Sequence, residues 1–227
     1  TEKMKKEEIV KIPYVNARLW DKYSPSWKEE NAIDSAIKNE KGEIFSEPWN
    51  GDRLVPICPS TYQWQRKVAD FCKNYIDEFK FDGLYLDQIA SFNATLCFDK
   101  SHPHARGGGN WWNKTYHDMI SMVRKNVDEK TFLTTESCCE TYIDAFDMLL
   151  VLDTDIAPNN FFNEVLHNKN AQPVPLFSMI YGKHSILYGS ICRFCDPVDV
   201  FEYKFMRNIL WGIWPTIEGF AGEEIED

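Results

Sequence analysis

Phe81-Asp82-Gly83-Leu84-Tyr85-Leu86-Asp87-Gln88 is the stretch that decides the fold of this chain. Gly83 to Leu86 is an apolar run of the length of a buried strand, and Asp87 and Gln88 follow where that strand runs out. Thr131-Phe132-Leu133-Thr134-Thr135-Glu136 repeats the plan, again with an acid at the C-terminal tip. A helix-like segment lies between the two. Strands in series, each tipped by a carboxylate and separated by a helix, predict a parallel α/β barrel, where catalytic groups sit at the C-terminal ends of the strands. Two carboxylates on one rim are also the minimum equipment for cleaving a glycosidic bond.

On the N-terminal side, residues 12–20 read as a strand whose tip carries Arg18, Trp20 and Asp21. Residues 22–56 are polar and irregular, with a short helix expected near Asn31–Lys38, and are long enough to be an elaborated loop over one face. Over 61–79, Trp64, Val68, Phe71, Cys72, Tyr75, Ile76 and Phe79 recur at helical spacing behind the capping hydroxyls of Ser60 and Thr61.

On the C-terminal side, residues 89–109 form a long loop with Cys97, His102, Pro103, His104, Arg106 and Gly107-Gly108-Gly109. A helix over 110–127 precedes the strand at 131–135. A brief helix is expected at 141–146, a strand at Met148–Leu152 ended by Asp153 and Asp155, and a helix at 159–166. A fifth strand is expected at Val174–Tyr181, a helix at 198–211, and a short strand or rim loop at 214–220. These strands fall short of eight, and a closed barrel of this type takes about 250 residues. The expectation is a single partial (β/α)8 TIM barrel over residues 1–227, with its first one or two βα units outside this sequence or absent.

The formal net charge of −10 argues against nucleic acid and against an anionic membrane surface as partners. No apolar run approaches the ~20 residues that span a bilayer, and the charged start of the chain lacks a signal-peptide core. The 8 Trp, 10 Tyr and 15 Phe suit either a sugar-binding cleft or simply a large core. The cysteines number 7, so they cannot all pair within the chain. Cys192 and Cys195 form one C-x-x-C where a zinc knuckle usually needs two, so most of these residues are expected to be buried thiols and no cofactor or metal is assigned.

Taken together, Phe81 to Gln88, Cys97-Phe98-Asp99, His102 to Gly109, Thr135-Glu136-Ser137 with Glu140 and Tyr142, and Val174-Pro175-Leu176-Phe177 with Ile180-Tyr181-Gly182 resemble a family of uncharacterised glycoside-hydrolase-like TIM-barrel proteins. The resemblance covers about residues 12 to 220. It implies a barrel related to the α-galactosidase and α-amylase groups, a carbohydrate substrate, and a secreted or periplasmic location. It also implies a nucleophilic aspartate after the fourth strand and an acid/base after a later one, roles that map onto Asp87 and Glu136.

The chemistry of those two side chains fits the implied roles. A glycosidase needs one carboxylate ionised and one carboxyl group protonated beside an oxocarbenium-like transition state. A separation of roughly 5–5.5 Å gives retention and roughly 6.5–9.5 Å inversion, and the resemblance favours retention. The plain alternative for Asp87 is a strand-end hydrogen-bonder, and for Glu136 a first-turn acid favoured by a helix dipole. Glu140 competes for the acid/base role, as do Asp153 and Asp155. Candidate sugar contacts are Arg18, Trp20, Asp21, Tyr85, Gln88, His102, His104, Trp111 and Tyr181. The competing readings are a metal-dependent hydrolase using His102 and His104, and a non-catalytic carbohydrate-binding barrel. Oligomeric state is open.

Overall fold

The computed structural model describes residues 6–152, 174–193 and 196–218. It divides into two compact units, Thr1–Thr135 and Glu136–Asp227. In chain order the elements are β1 (Tyr14–Asn16), β2 (Leu19–Asp21), α1 (Pro25–Glu29), β3 (Trp49–Asp52), β4 (Leu54–Pro56), α2 (Tyr62–Phe79), β5 (Gly83–Asp87), α3 (Trp111–Asn126), β6 (Phe132–Glu136), β7 (Met148–Val151), α4 (Leu176–Tyr181), β8 (Ile186–Arg193), α5 (Val198–Leu210) and β9 (Trp214–Glu218). Single 3-10 turns occupy Ala32–Asp34 and Glu140–Tyr142, where short helices were expected.

In the first unit β1 runs parallel to β5, from Tyr14↔Tyr85 to Asn16↔Asp87. β5 runs parallel to β6, from Gly83↔Phe132 to Leu86↔Thr135. Side-chain alternation sends Leu84 and Leu86 to one face, where both are fully buried, and Tyr85 and Asp87 to the other. Burying each leucine contributes roughly 1.5–3 kcal/mol. α2 and α3 pack on one another, and their buried stripes are Trp64, Val68 and Cys72, and Trp112, Tyr116, Met119, Ile120 and Val123. Phe71 and Phe79, read from sequence as part of the helical stripe, instead stand exposed in a row of rings with Tyr75. α2 stops at Lys80, which takes the left-handed conformation and donates its N–H to the Ile76 carbonyl.

Gly83 opens β5 because no other residue fits there. A Cβ at this position would lie 2.6 Å from the Phe132 carbonyl oxygen of the neighbouring strand. Gly83→Ala is therefore expected to destabilise the protein by about 1–3 kcal/mol, read as a lowered urea midpoint.

The strand expected over 12–20 is two strands. The Asn16 side-chain oxygen accepts from the backbone N–H groups of Arg18 (3.0 Å) and Leu19 (2.9 Å), an Asx-type turn that breaks the extended run. β1 thus stays in the parallel ladder, while β2 pairs antiparallel with β4. The supposedly irregular 22–56 segment consequently holds α1, β3 and β4.

In the second unit β7, β8 and β9 are parallel neighbours, with a register shift between Gly189 and Cys192. α5 lies against β8 and β9, and its buried Asn208 donates to the Gly189 carbonyl. The strand expected at Val174–Tyr181 is a correction: Leu176–Tyr181 is the short helix α4. Pro175 stands at its start, Phe177 and Tyr181 meet one turn apart, and no residue of it is buried. A short apolar run carries no periodicity that separates strand from helix. The strand actually present, β8, went unread because Gly189 and Ser190 interrupt its apolar pattern. The helix expected at 159–166, Asp153, Asp155 and Cys195 lie outside the described residues. No described helix is long and apolar enough to cross a membrane.

Candidate functional site

Asp87 is 6 % exposed and is held from the neighbouring strand. Its Oδ2 accepts from the Tyr14 hydroxyl at 2.6 Å and from Asn16 Nδ2 at 3.2 Å. Parallel pairing creates this clasp: Tyr14 and Asn16 are the register partners of Tyr85 and Asp87, so their side chains emerge on the same face. Tyr14 also stacks on Tyr85, with ring centroids 5.7 Å apart. Neither Tyr14 nor Asn16 was singled out from sequence, because register between strands about 70 residues apart is not written locally.

Gln88, the next residue, has φ 64°. A left-handed glutamine costs on the order of 1 kcal/mol and persists only when its surroundings over-determine it. Here Gln88 Oε1 accepts from Asn16 Nδ2 and from Arg18 Nε, both at 3.2 Å. Arg18 is wholly buried. Its Nη1 donates to Glu47 at 3.0 Å, and its guanidinium carbon lies 3.5 Å from the centroid of the Phe92 ring. Its Nη2 is buried with no hydrogen-bond partner among the described residues. Arg18 therefore links β1, the 22–56 segment and the loop after β5.

The remaining sequence candidates of this unit are dispersed. Trp20 is buried against Trp27 and Trp64, with Nε1 donating to Ser26. Asp21, at the end of β2, pairs with Arg53, which precedes β4, and that hydrogen bond lowers its pKa despite opposing desolvation. A cavity of about 350 Å³ is lined by Tyr14, Asn16, Trp20, Asp21, Trp64 and Phe71, among others. Tyr14 and Asn16, the two donors to Asp87, are among its lining residues.

His102 and His104 belong to a different cluster. His102 is buried, with Nδ1 3.3 Å from Cys97 Sγ and Nε2 2.9 Å from the Asp34 carbonyl oxygen. His104 Nε2 lies 3.4 Å from Cys58 Sγ, and Nδ1 lies 2.8 Å from the Ala105 carbonyl oxygen. The Trp111 ring stacks flat on His104, centroids 3.7 Å apart. The Cys58 hydrogen bond holds the Cys97 thiol below its usual pKa against the opposing effect of desolvation, whereas burial pushes Cys58 up. Burial opposes charging of His102, yet its bonds to Cys97 and Asp34 leave its pKa raised. Nothing in the sequence pairs Cys58 with Cys97, since 39 positions separate them and no C-x-x-C marks them.

In the second unit, Glu136 is the last residue of β6, half-buried, and is followed by Ser137 at φ 68°. Glu140 is exposed in the following 3-10 turn and accepts from the Tyr181 hydroxyl at 2.7 Å. That bond raises the Tyr181 pKa.

The family described as "Domain of unknown function (DUF6259)" matches residues 1–192. A protein of Bacteroides thetaiotaomicron named "Putative glycoside hydrolase" is 34% identical over 205 residues, covering 88% of this chain and 29% of its own length. The chain thus spans less than a third of that relative. Among solved structures, the alpha-galactosidase TtGalA from Thermus thermophilus, in complex with p-nitrophenyl alpha-D-galactopyranoside, superposes with TM-score 0.60 at 13% identity over 95% of this chain and 44% of its own. The ligand-free alpha-N-acetylgalactosaminidase NagBb from Bifidobacterium bifidum gives TM-score 0.63 at 15% identity over 95% of this chain and 33% of its own. At such identities the likeness is one of fold, and that fold is the α/β, parallel-stranded one of glycoside-hydrolase barrels.

Proposed function

This chain belongs to the family described as Domain of unknown function DUF6259, and from that footing we propose that it supplies the TIM-barrel catalytic domain of a retaining glycoside hydrolase. The observation that carries the reading is a construction made twice. β5 and β6 each end in an acid, Asp87 and Glu136, and each acid is followed by a left-handed residue, Gln88 and Ser137. Strained non-glycine backbone beside a strand-tip carboxylate is the local signature of a positioned functional group.

Asp87 is the nucleophile in this reading. Its Oδ2 is fixed by Tyr14 and Asn16, which orients the carboxylate. Glu136 is the acid/base, protonating the departing glycosidic oxygen and then activating water. Asp87 attacks the anomeric carbon as the bond to the leaving oxygen breaks. Water then cleaves the glycosyl ester, and two inversions give net retention.

The relative's name supports the class of reaction. The galactoside bound by one neighbour and the names of both point to α-linked galactose or N-acetylgalactosamine as the first sugars to try. The test is turnover of p-nitrophenyl α-D-galactopyranoside and its N-acetylgalactosaminide, with the first-formed anomer read by proton NMR. Release of the α-anomer supports retention, and initial release of the β-anomer overturns it.

A further inference from the structure

The geometry points to a structural zinc site, outside the carboxylate chemistry and independent of it, formed by Cys58 Sγ, Cys97 Sγ, His102 Nδ1 and His104 Nε2. These four atoms all lie within 4.8 Å of one another. The Cys97–His102 and Cys58–His104 sulfur–nitrogen separations are 3.3 and 3.4 Å. A tetrahedral ion with Zn–S of about 2.3 Å and Zn–N of about 2.0–2.1 Å sets such pairs roughly 3.5 Å apart. The cluster is therefore close to the size the ion requires.

The imidazole tautomers agree with that assignment. A carbonyl oxygen only accepts, so His102 carries its proton on Nε2, facing Asp34, and presents the Nδ1 lone pair to the cluster. His104 carries its proton on Nδ1, facing the Ala105 carbonyl, and presents the Nε2 lone pair. A backbone carbonyl on the distal nitrogen is the usual partner of a metal-bound histidine, and here both histidines have one. Cys58, Cys97 and His102 are buried, and Trp111 covers the His104 ring. A mixed thiolate and imidazole set selects zinc over magnesium or calcium.

Four protein ligands close the coordination sphere and leave no position for a reacting water, which makes the ion a staple and not a hydrolytic centre. What it staples is definite. Cys58 lies between β4 and α2, while Cys97, His102 and His104 all sit on the 89–109 loop. That loop already closes through the Cys97↔Gly107 bridge and the Lys38–Asp99 ion pair. The ion would anchor it to the base of α2.

The test uses the untagged full chain, purified after expression with added zinc and dialysed, with metal measured by mass spectrometry. About one zinc per chain is expected, falling below about a tenth in Cys97→Ser and in His104→Ala, while Cys72→Ser, a buried thiol elsewhere, keeps its zinc. Since ligand variants can misfold, the unaltered protein is also stripped and refolded with cobalt(II). Intense visible bands of tetrahedral cobalt with a thiolate charge-transfer band are expected. Substoichiometric zinc with a weak octahedral cobalt spectrum overturns the site, as does recovery of a Cys58–Cys97 disulfide as the native form.

Discussion

Asp87→Asn is expected to lower kcat/KM by at least about 10³-fold on any glycoside the protein turns over, with the fold intact. The asparagine keeps the shape of the side chain, and its amide oxygen still accepts from Tyr14 and Asn16, whose donors lie 2.6 and 3.2 Å from Oδ2. It cannot form the glycosyl ester. Glu136→Gln is expected to behave differently. An aryl glycoside with a good leaving group needs little protonation to depart, so glycosylation of Asp87 survives and a burst of phenolate is seen. Steady-state turnover, and all turnover of a natural glycan, still falls by about 10²-fold or more because water has lost its base. The paired comparison separates the roles. Full activity in Asp87→Asn removes the nucleophile assignment, and a Glu136→Gln protein indifferent to leaving group removes the acid/base assignment.

Arg18→Met is the second large effect, and it falls on stability. Arg18 is fully buried, bonded to Glu47 at 3.0 Å and to Gln88 at 3.2 Å, and lies over Phe92. Removing the guanidinium leaves the Glu47 carboxylate buried without its counter-charge, and breaking a buried pair from one side costs about 3–5 kcal/mol. Arg18→Met with Glu47→Leu is expected to recover most of that loss, because an apolar pair of similar volume suffers no desolvation of charge. Urea denaturation of the two single variants and the double variant measures the coupling. A single-variant loss under about 1 kcal/mol would mean that Arg18 is not the link between β1 and the loop after β5.

Arg18 also shows how far side-chain identity can mislead when read locally. At a strand tip beside Trp20 and Asp21 it has the look of a sugar contact, yet burial turns it into an internal tie. The histidines of His102-Pro103-His104 have the look of sugar contacts or of ligands to a hydrolytic metal until Cys58, far away in sequence, is brought to them. β5, β6, α2 and α3 were legible because each writes its own signal over a few turns or one strand: an apolar run ended by an acid, or a 3.6-residue stripe. Leu176–Tyr181 was not, because a six-residue run of apolar and aromatic side chains broken only by Ser178 satisfies helix and strand equally.

The chain alone therefore determined the parallel α/β plan and the two strand-tip acids, since hydrophobic periodicity and strand termination are properties of neighbours in sequence. Only the tertiary structure decided which side chains clasp Asp87 and which four converge between the start of α2 and the glycine-rich loop. Those are matters of register between distant strands and of loop closure, set by the packing of the whole unit and written in no single segment.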